Sequence, residues 1–186
     1  MCIRDSLENH RDFFDGDRFG FTAAGRLEIS ENTTLDLSYE YADHERFIDR
    51  GIPSNSDNRP ATDLVDITFA DPDNNFTTLE AHIFRAALQH QFSDSLKGNF
   101  SAFYGDYDKV YSNFFPVDFD DANDTVDLDG YIDETERENL ILSANLVSEF
   151  NTGNIEHTLI FGAEYIDTSS DQFRFNSFFD LSLIHI

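Results

Sequence analysis

Residues 18–41 read RFGFTAAGRLEISENTTLDLSYEY. Phe19, Phe21, Ala23, Gly25, Leu27 and Ile29 take alternate positions, with Arg18, Gly20, Thr22, Ala24, Arg26, Glu28 and Ser30 between them. After a short polar step the alternation resumes in phase, with Leu35, Leu37, Tyr39 and Tyr41 against Thr34, Asp36, Ser38 and Glu40. Successive side chains of an extended strand point to opposite faces, so this period assigns two strands, each with one apolar side. Ser30-Glu31-Asn32-Thr33 joins them, and Asn and Ser favour a tight turn by bonding to nearby backbone. Each segment runs to about 10 residues, the length a tilted strand needs to cross a bilayer. Strands of soluble domains average about 5–6 residues.

The pattern recurs four more times. Phe84, Ala86, Leu88 and Phe92 oppose Arg85, Gln89 and Gln91, and Leu96, Phe100, Ala102 and Tyr104 oppose Lys97, Asn99 and Ser101. Leu140, Leu142, Ala144, Leu146 and Phe150 oppose Asn139, Ser143, Asn145 and Glu149. His157, Leu159, Phe161, Ala163 and Tyr165 oppose Thr158, Gly162 and Glu164. Short turns at 30–33, 93–95 and 151–154 alternate with long acidic excursions at 42–75 and 106–133 and a tail after Asp167. Every tight turn therefore falls at one end of the sheet and every long loop at the other, the plan of outer-membrane barrels. Tyr39, Tyr41, Tyr104, Phe92, Phe150 and Tyr165 stand near strand ends, where an aromatic girdle sits. The predicted fold is all-β: a fragment of an antiparallel up-and-down transmembrane β-barrel. It has about six long strands, too few to close even the smallest eight-stranded membrane barrel, so two edges stay open.

Composition narrows the function. The chain has 186 residues, 37 acidic against 12 basic, and a formal charge of −25, which repels phosphates and argues against a nucleic-acid partner. Twenty Phe and seven Tyr argue against disorder. No apolar run of about 18 residues offers a transmembrane helix, and residues 1–10 lack the apolar core of a signal peptide. Residues 1–6 (Met-Cys-Ile-Arg-Asp-Ser) and 181–186 (Leu-Ser-Leu-Ile-His-Ile) resemble translated sequencing adapters, leaving 7–180 as the barrel segment. Cys2, the one cysteine, excludes an internal disulfide and any cysteine-based metal site.

Four motifs carry a resemblance. Asp49-Arg50-Gly51-Ile52-Pro53 follows Tyr39-Glu40-Tyr41, and Arg11-Asp12-Phe13-Phe14 precedes the same hairpin. Phe150-Asn151-Thr152-Gly153 leads into His157-Thr158-Leu159-Ile160-Phe161-Gly162-Ala163-Glu164-Tyr165. In this order and spacing, over most of residues 11–167, the chain resembles the early barrel of TonB-dependent siderophore receptors. The resemblance implies a barrel of about 22 strands around an N-terminal plug, on which a periplasmic TonB-type coupling protein pulls to release a ferric siderophore. Outer-membrane location, lipid contact and energy-coupled uptake are implied with it, and the plug and coupling box are not among these residues. Passive porins and a soluble, acidic, calcium-binding β-sandwich or adhesin are the competing classes.

Candidate sites are few. Arg46, Arg50 and Arg59 fall at the expected extracellular mouth, where they could attract an anionic ferric siderophore or pair with Asp43, Asp49 or Asp57. Within the acidic stretch 118–138, Asp127, Asp129 and Glu136 fall at positions 3, 5 and 12 of a calcium-loop pattern. Its first position is Thr125 and no amphipathic helices flank it, so clustered carboxylates holding Ca²⁺ are the metal reading and a solvated acidic loop the simpler one. His82, His90 and His157 lack metal-ligand spacing. Neither a nucleophile elbow nor a phosphate-binding glycine loop is present, so no enzyme is expected. No cofactor is expected beyond the transported ligand and a structural Ca²⁺.

Overall fold

A computed structural model describes residues 15–176 in full and, for residues 2–6 and 183–185, the backbone. Strands β1 (Cys2–Ser6), β2 (Gly16–Ser30), β3 (Thr33–Phe47), β4 (Phe76–Ser93), β5 (Leu96–Asp120), β6 (Thr125–Thr152), β7 (Ile155–Asn176) and β8 (Leu183–His185) form one antiparallel sheet. The order is β1 to β7 in sequence, each strand beside the next, and β8 pairs with the start of β6. The sheet is not closed. Arg11 to Phe14, Met1, Leu181, Ser182 and Ile186 lie outside the described residues.

Register turns six separate alternations into one surface. Leu37 stands opposite Gly25 and Ala86, Ala86 opposite Ala102, Ala102 opposite Leu142, and Leu142 opposite Tyr165. Directly opposed residues share a face, so every apolar stripe read from the sequence joins the same side. A one-residue slip anywhere would turn one strand's apolar set to the other side. From Phe19 to Ile29 the apolar run of β2 measures about 34 Å along the strand. Tilted by about 40°, that projects to roughly 26 Å, the height of the apolar band on an outer-membrane barrel.

This side is open rather than packed. Phe19 is 40% exposed, Leu37 44%, Leu142 43% and Phe161 72%. Rings collect at its two ends: Phe21, Tyr39, Phe84 and Tyr104 cross β2–β5 at centroid spacings of 6.5, 4.7 and 6.4 Å. His90 meets Phe92 at 4.5 Å and His157 stacks on Phe150 at 5.0 Å near the turns. Between the ring belts lie Gly25, Ala86, Ala102, Ala144 and Ala163. On the opposite side, Arg26 pairs with Asp36 at 2.6 Å and Arg85 with Glu40 at 3.2 Å. Both pairs are solvent-exposed, so each contributes at most about 1 kcal/mol.

Three turns behave as expected. Glu31-Asn32, Asp94-Ser95 and Gly153-Asn154 join β2–β3, β4–β5 and β6–β7, with Gly153 at φ 64°. At the other end the two excursions differ. Residues 48–75 form an irregular connection, with a 3-10 turn at Thr62–Leu64 and a bridge between Ser54 and Pro60. The second, expected as a loop over 106–133, is a hairpin: β5 and β6 continue paired to a turn at 121–124, closed by Asp124 at φ 50°. Continued pairing lets each strand satisfy the other's backbone groups, which outweighs the weak strand propensity of Asp and Glu.

The long connection packs against that hairpin. Ala61, Leu64 and Phe69 form the core cluster with Val126 of β6, and Ile52, Ile67, Phe119 and Leu128 pack around it. Asn75 holds the exit of the connection. Its amide nitrogen donates to the carbonyls of Ile48 (3.0 Å) and Phe114 (2.8 Å), and its oxygen accepts from the backbone N–H of Asp71 (3.0 Å) and Phe114 (2.9 Å). Four bonds satisfy the fully buried side chain completely.

Candidate functional site

Beyond the apolar band, toward the long connection, the polar face changes character. Following the register, one row runs Arg18, His44, Leu79, Lys109, Thr135 and Gln172, and the next runs Gly16, Arg46, Thr77, Tyr111, Asp133 and Arg174. Tyr107 and Arg137 are opposed in the row below. Cations and phenols thus face one side on strands whose other side bears acids. Lys109, Tyr111, Asp133, Glu134, Thr135, Gln172, Phe173 and Arg174 line a polar groove of about 560 Å³, within the usual size of a small-molecule site.

The groove is braced by stacked rings and guanidinium groups. Arg174 forms a two-point ion pair with Asp133, Nε to Oδ1 at 2.6 Å, and its guanidinium lies 4.5 Å above the Tyr131 ring. Tyr131 stacks on Tyr111 at 6.1 Å and meets Phe115 edge-on at 6.0 Å. Among the described residues, no ion pair engages Lys109, Arg137, Arg18 or Arg46. Among the described residues, the buried Nε2 of His44 has no hydrogen-bond partner.

The structure separates the three arginines expected at the mouth. Arg46 lies on the polar face of β3, in the same row as Tyr111 and Arg174. Arg50 donates from Nη1 to Asn113 Oδ1 at 2.9 Å and to the Tyr131 hydroxyl at 3.3 Å, with its guanidinium 4.2 Å over the Phe115 ring. These contacts tie the 48–75 connection to the hairpin. Arg59 is exposed beside Asp57 at 3.6 Å. Gly51, at φ +90°, receives the Asp49 carboxylate on its N–H at 2.9 Å, so the Asp-Arg-Gly-Ile-Pro stretch is a shaped turn that aims Arg50.

The carboxylates proposed for calcium are not gathered. Asp127 and Asp129 lie on one side of β6 and Glu136 on the other, about 30 Å farther along the strand. Among the described residues, no three His, Cys, Asp or Glu side chains converge on a metal position. His82 contacts the Tyr39 hydroxyl through Nδ1 at 2.8 Å, and His90 contacts Thr33 Oγ1 at 2.7 Å, both on the apolar side. Tyr107, Lys109, Tyr111 and Arg174 escaped the sequence reading because 106–133 and the tail were taken as loops. Carrying the alternation of β5 past Tyr104 would have placed Tyr107, Lys109 and Tyr111 on one face.

No protein-family model matches the sequence, and no curated protein matches it. Solved structures do. Over 92% of its length the chain superposes on FpvA of P. aeruginosa, solved bound to heterologous pyoverdines, with a TM-score of 0.79 and 12% identity. The ferric-catecholate import receptor Fiu of E. coli K12 gives 0.76 over 91% at 16% identity. The siderophore receptor PiuA of Acinetobacter baumannii gives 0.66 over 87% at 24%. The fold is that of a siderophore-receptor barrel wall. The chain spans 23%, 29% and 24% of those three receptors, so the receptor-type sheet seen here corresponds to about a quarter of each. The apolar face with its ring belts is one side of this sheet, and the braced groove lies on the other.

Proposed function

We propose that this chain is a wall segment of an outer-membrane receptor for energy-coupled uptake of ferric siderophores. One observation carries the reading: six in-register strands expose a continuous apolar face about 26 Å high, with the β2–β3, β4–β5 and β6–β7 turns at one end and the 48–75 connection and the long β5–β6 hairpin at the other. A soluble β-sandwich would bury Leu37, Leu142 and Phe161 under a second sheet, whereas these side chains are 44%, 43% and 72% exposed. With the apolar face on lipid, the polar face lines a lumen and the 48–75 connection and β5–β6 hairpin project outside the cell. A plug domain inside the barrel and a TonB-type protein in the periplasm complete the assembly. The transported ligand is a ferric siderophore, moved without covalent change. The likeness in fold to three siderophore receptors supports this reading over a passive porin.

The test is the gene around this segment. A lumen-filling domain encoded upstream, further strands downstream, and heat-modifiable gel migration of the full-length product are expected. A soluble repeat array upstream, or a full-length product that stays monomeric in buffer without detergent, would overturn the assignment.

A further inference from the structure

Charge is sorted by face in the last rows of β2–β7 at the connection end, from the Gly20–Arg137 row to the Gly16–Arg174 row on the polar face. The polar face carries Arg18, Arg46, Lys109, Arg137 and Arg174 against one carboxylate, Asp133. The other face of the same stretch carries a row that starts at Phe19 on β2 and is acidic on each of β3–β7, at Asp43, Glu80, Asp108, Glu136 and Asp171, and no Lys or Arg. Acids outnumber bases 37 to 12 in the whole chain, so a lumen face with five cations to one acid inverts the composition. Like charges directly opposed are destabilising, and the acidic row sets five carboxylates side by side that cations in the same row would relieve. Stability therefore does not explain the sorting.

We infer that this lumen stretch selects negatively charged ferric complexes over neutral and cationic ones, an inference that rests on the receptor reading above. A wall of one sign around a low-dielectric passage focuses its field on what enters. Among the described residues of this face, Asp133 pairs with Arg174, leaving Lys109 in the groove and Arg137 one row below it to act on a ligand. Tyr107 and Tyr111 flank Lys109 on the same face and offer ring surfaces beside the cations. The acidic row on the opposite face does not cancel this field in the lumen, because salt at physiological strength screens over about 8 Å.

The test uses the full-length protein that carries this segment, in outer-membrane vesicles, with two probes: an iron(III) tris-catecholate trianion and an iron(III) trihydroxamate bearing a free ammonium group. The trianion is expected to bind at least about tenfold tighter, with the preference shrinking as salt is raised. Lys109→Gln together with Arg137→Gln should remove most of that preference and leave the cationic complex unaffected. Asp133→Asn, which releases Arg174, should strengthen trianion binding several-fold, a gain that a purely structural role for this pair would not give. Heat-modifiable migration checks that each variant is folded. Equal binding of both probes, tighter binding of the cation, or a loss of affinity in Asp133→Asn overturns the selectivity while leaving a receptor. Binding of neither probe overturns the receptor reading itself.

Discussion

Removing the Asn75 side chain would delete four hydrogen bonds where the connection meets β5. Asn75→Ala is expected to cost about 2–4 kcal/mol, read as earlier unfolding of the 48–75 connection. Asn75→Asp should be worse, since a carboxylate oxygen would face the Ile48 and Phe114 carbonyls in place of a donor; equal stability of the two variants would contradict the assigned network. Arg50 invites a milder change. Lysine keeps its charge but cannot both stack flat on Phe115 and bond Asn113, so Arg50→Lys should cost about 1 kcal/mol. Its role is the one a mouth arginine takes when rings and an amide surround it: a brace between connection and hairpin.

The connection and the extended hairpin form one unit at the scale of elements. Phe69→Ala removes the largest ring of their shared cluster and should cost about 3–5 kcal/mol, Val126→Ala about 2 kcal/mol. Proteases should then cut within 48–75 while the paired part of β2–β7 stays protected. Acid should loosen the same region. The Asn74 amide and the backbone N–H of Asp73 hold the Asp71 carboxyl below the ordinary carboxylate range, and the Asn123 amide and the Ala122 N–H do the same for Asp120. Such groups stabilise the fold above their unfolded value, near pH 4, and lose that contribution as pH falls through their lowered folded values. Limited proteolysis at pH 7 and pH 3 should show faster cleavage at 71–75 and 120–124 in acid, and Asp71→Asn should flatten the difference at the first site.

On the scale of the whole molecule, the two faces answer to different solvents. Leu142→Arg places a cation at mid-height of the apolar face and should cost about 2–4 kcal/mol in a bilayer. Ser143→Arg, one residue on and opposite Glu164, should change stability by less than about 0.5 kcal/mol. Refolding into lipid vesicles under a urea gradient measures both, and similar costs would contradict the assignment of faces. An exposed edge follows from the open sheet: among the described residues β7 pairs along β6 alone, and its other row of N–H and C=O groups can take a further strand.

The sequence alone determined which side of each strand is apolar, where the turns at 30–33, 93–95 and 151–154 lie and that the sheet is antiparallel, because alternation and turn chemistry are local properties of the backbone. The Asp-Arg-Gly-Ile-Pro and Phe-Asn-Thr-Gly motifs were legible as a resemblance for the same reason. Tertiary structure decided the rest. Whether Asp127 and Glu136 share a loop or stand on opposite sides of a strand depends on what pairs with β6, and β5 supplies that partner up to Asp120. Which arginine stays unpaired likewise depends on residues distant in sequence: Asn113 and Tyr131 hold Arg50, and Asp133 holds Arg174. Hydrogen bonds and ion pairs between strands belong to the register, and the register exists only once the strands lie side by side.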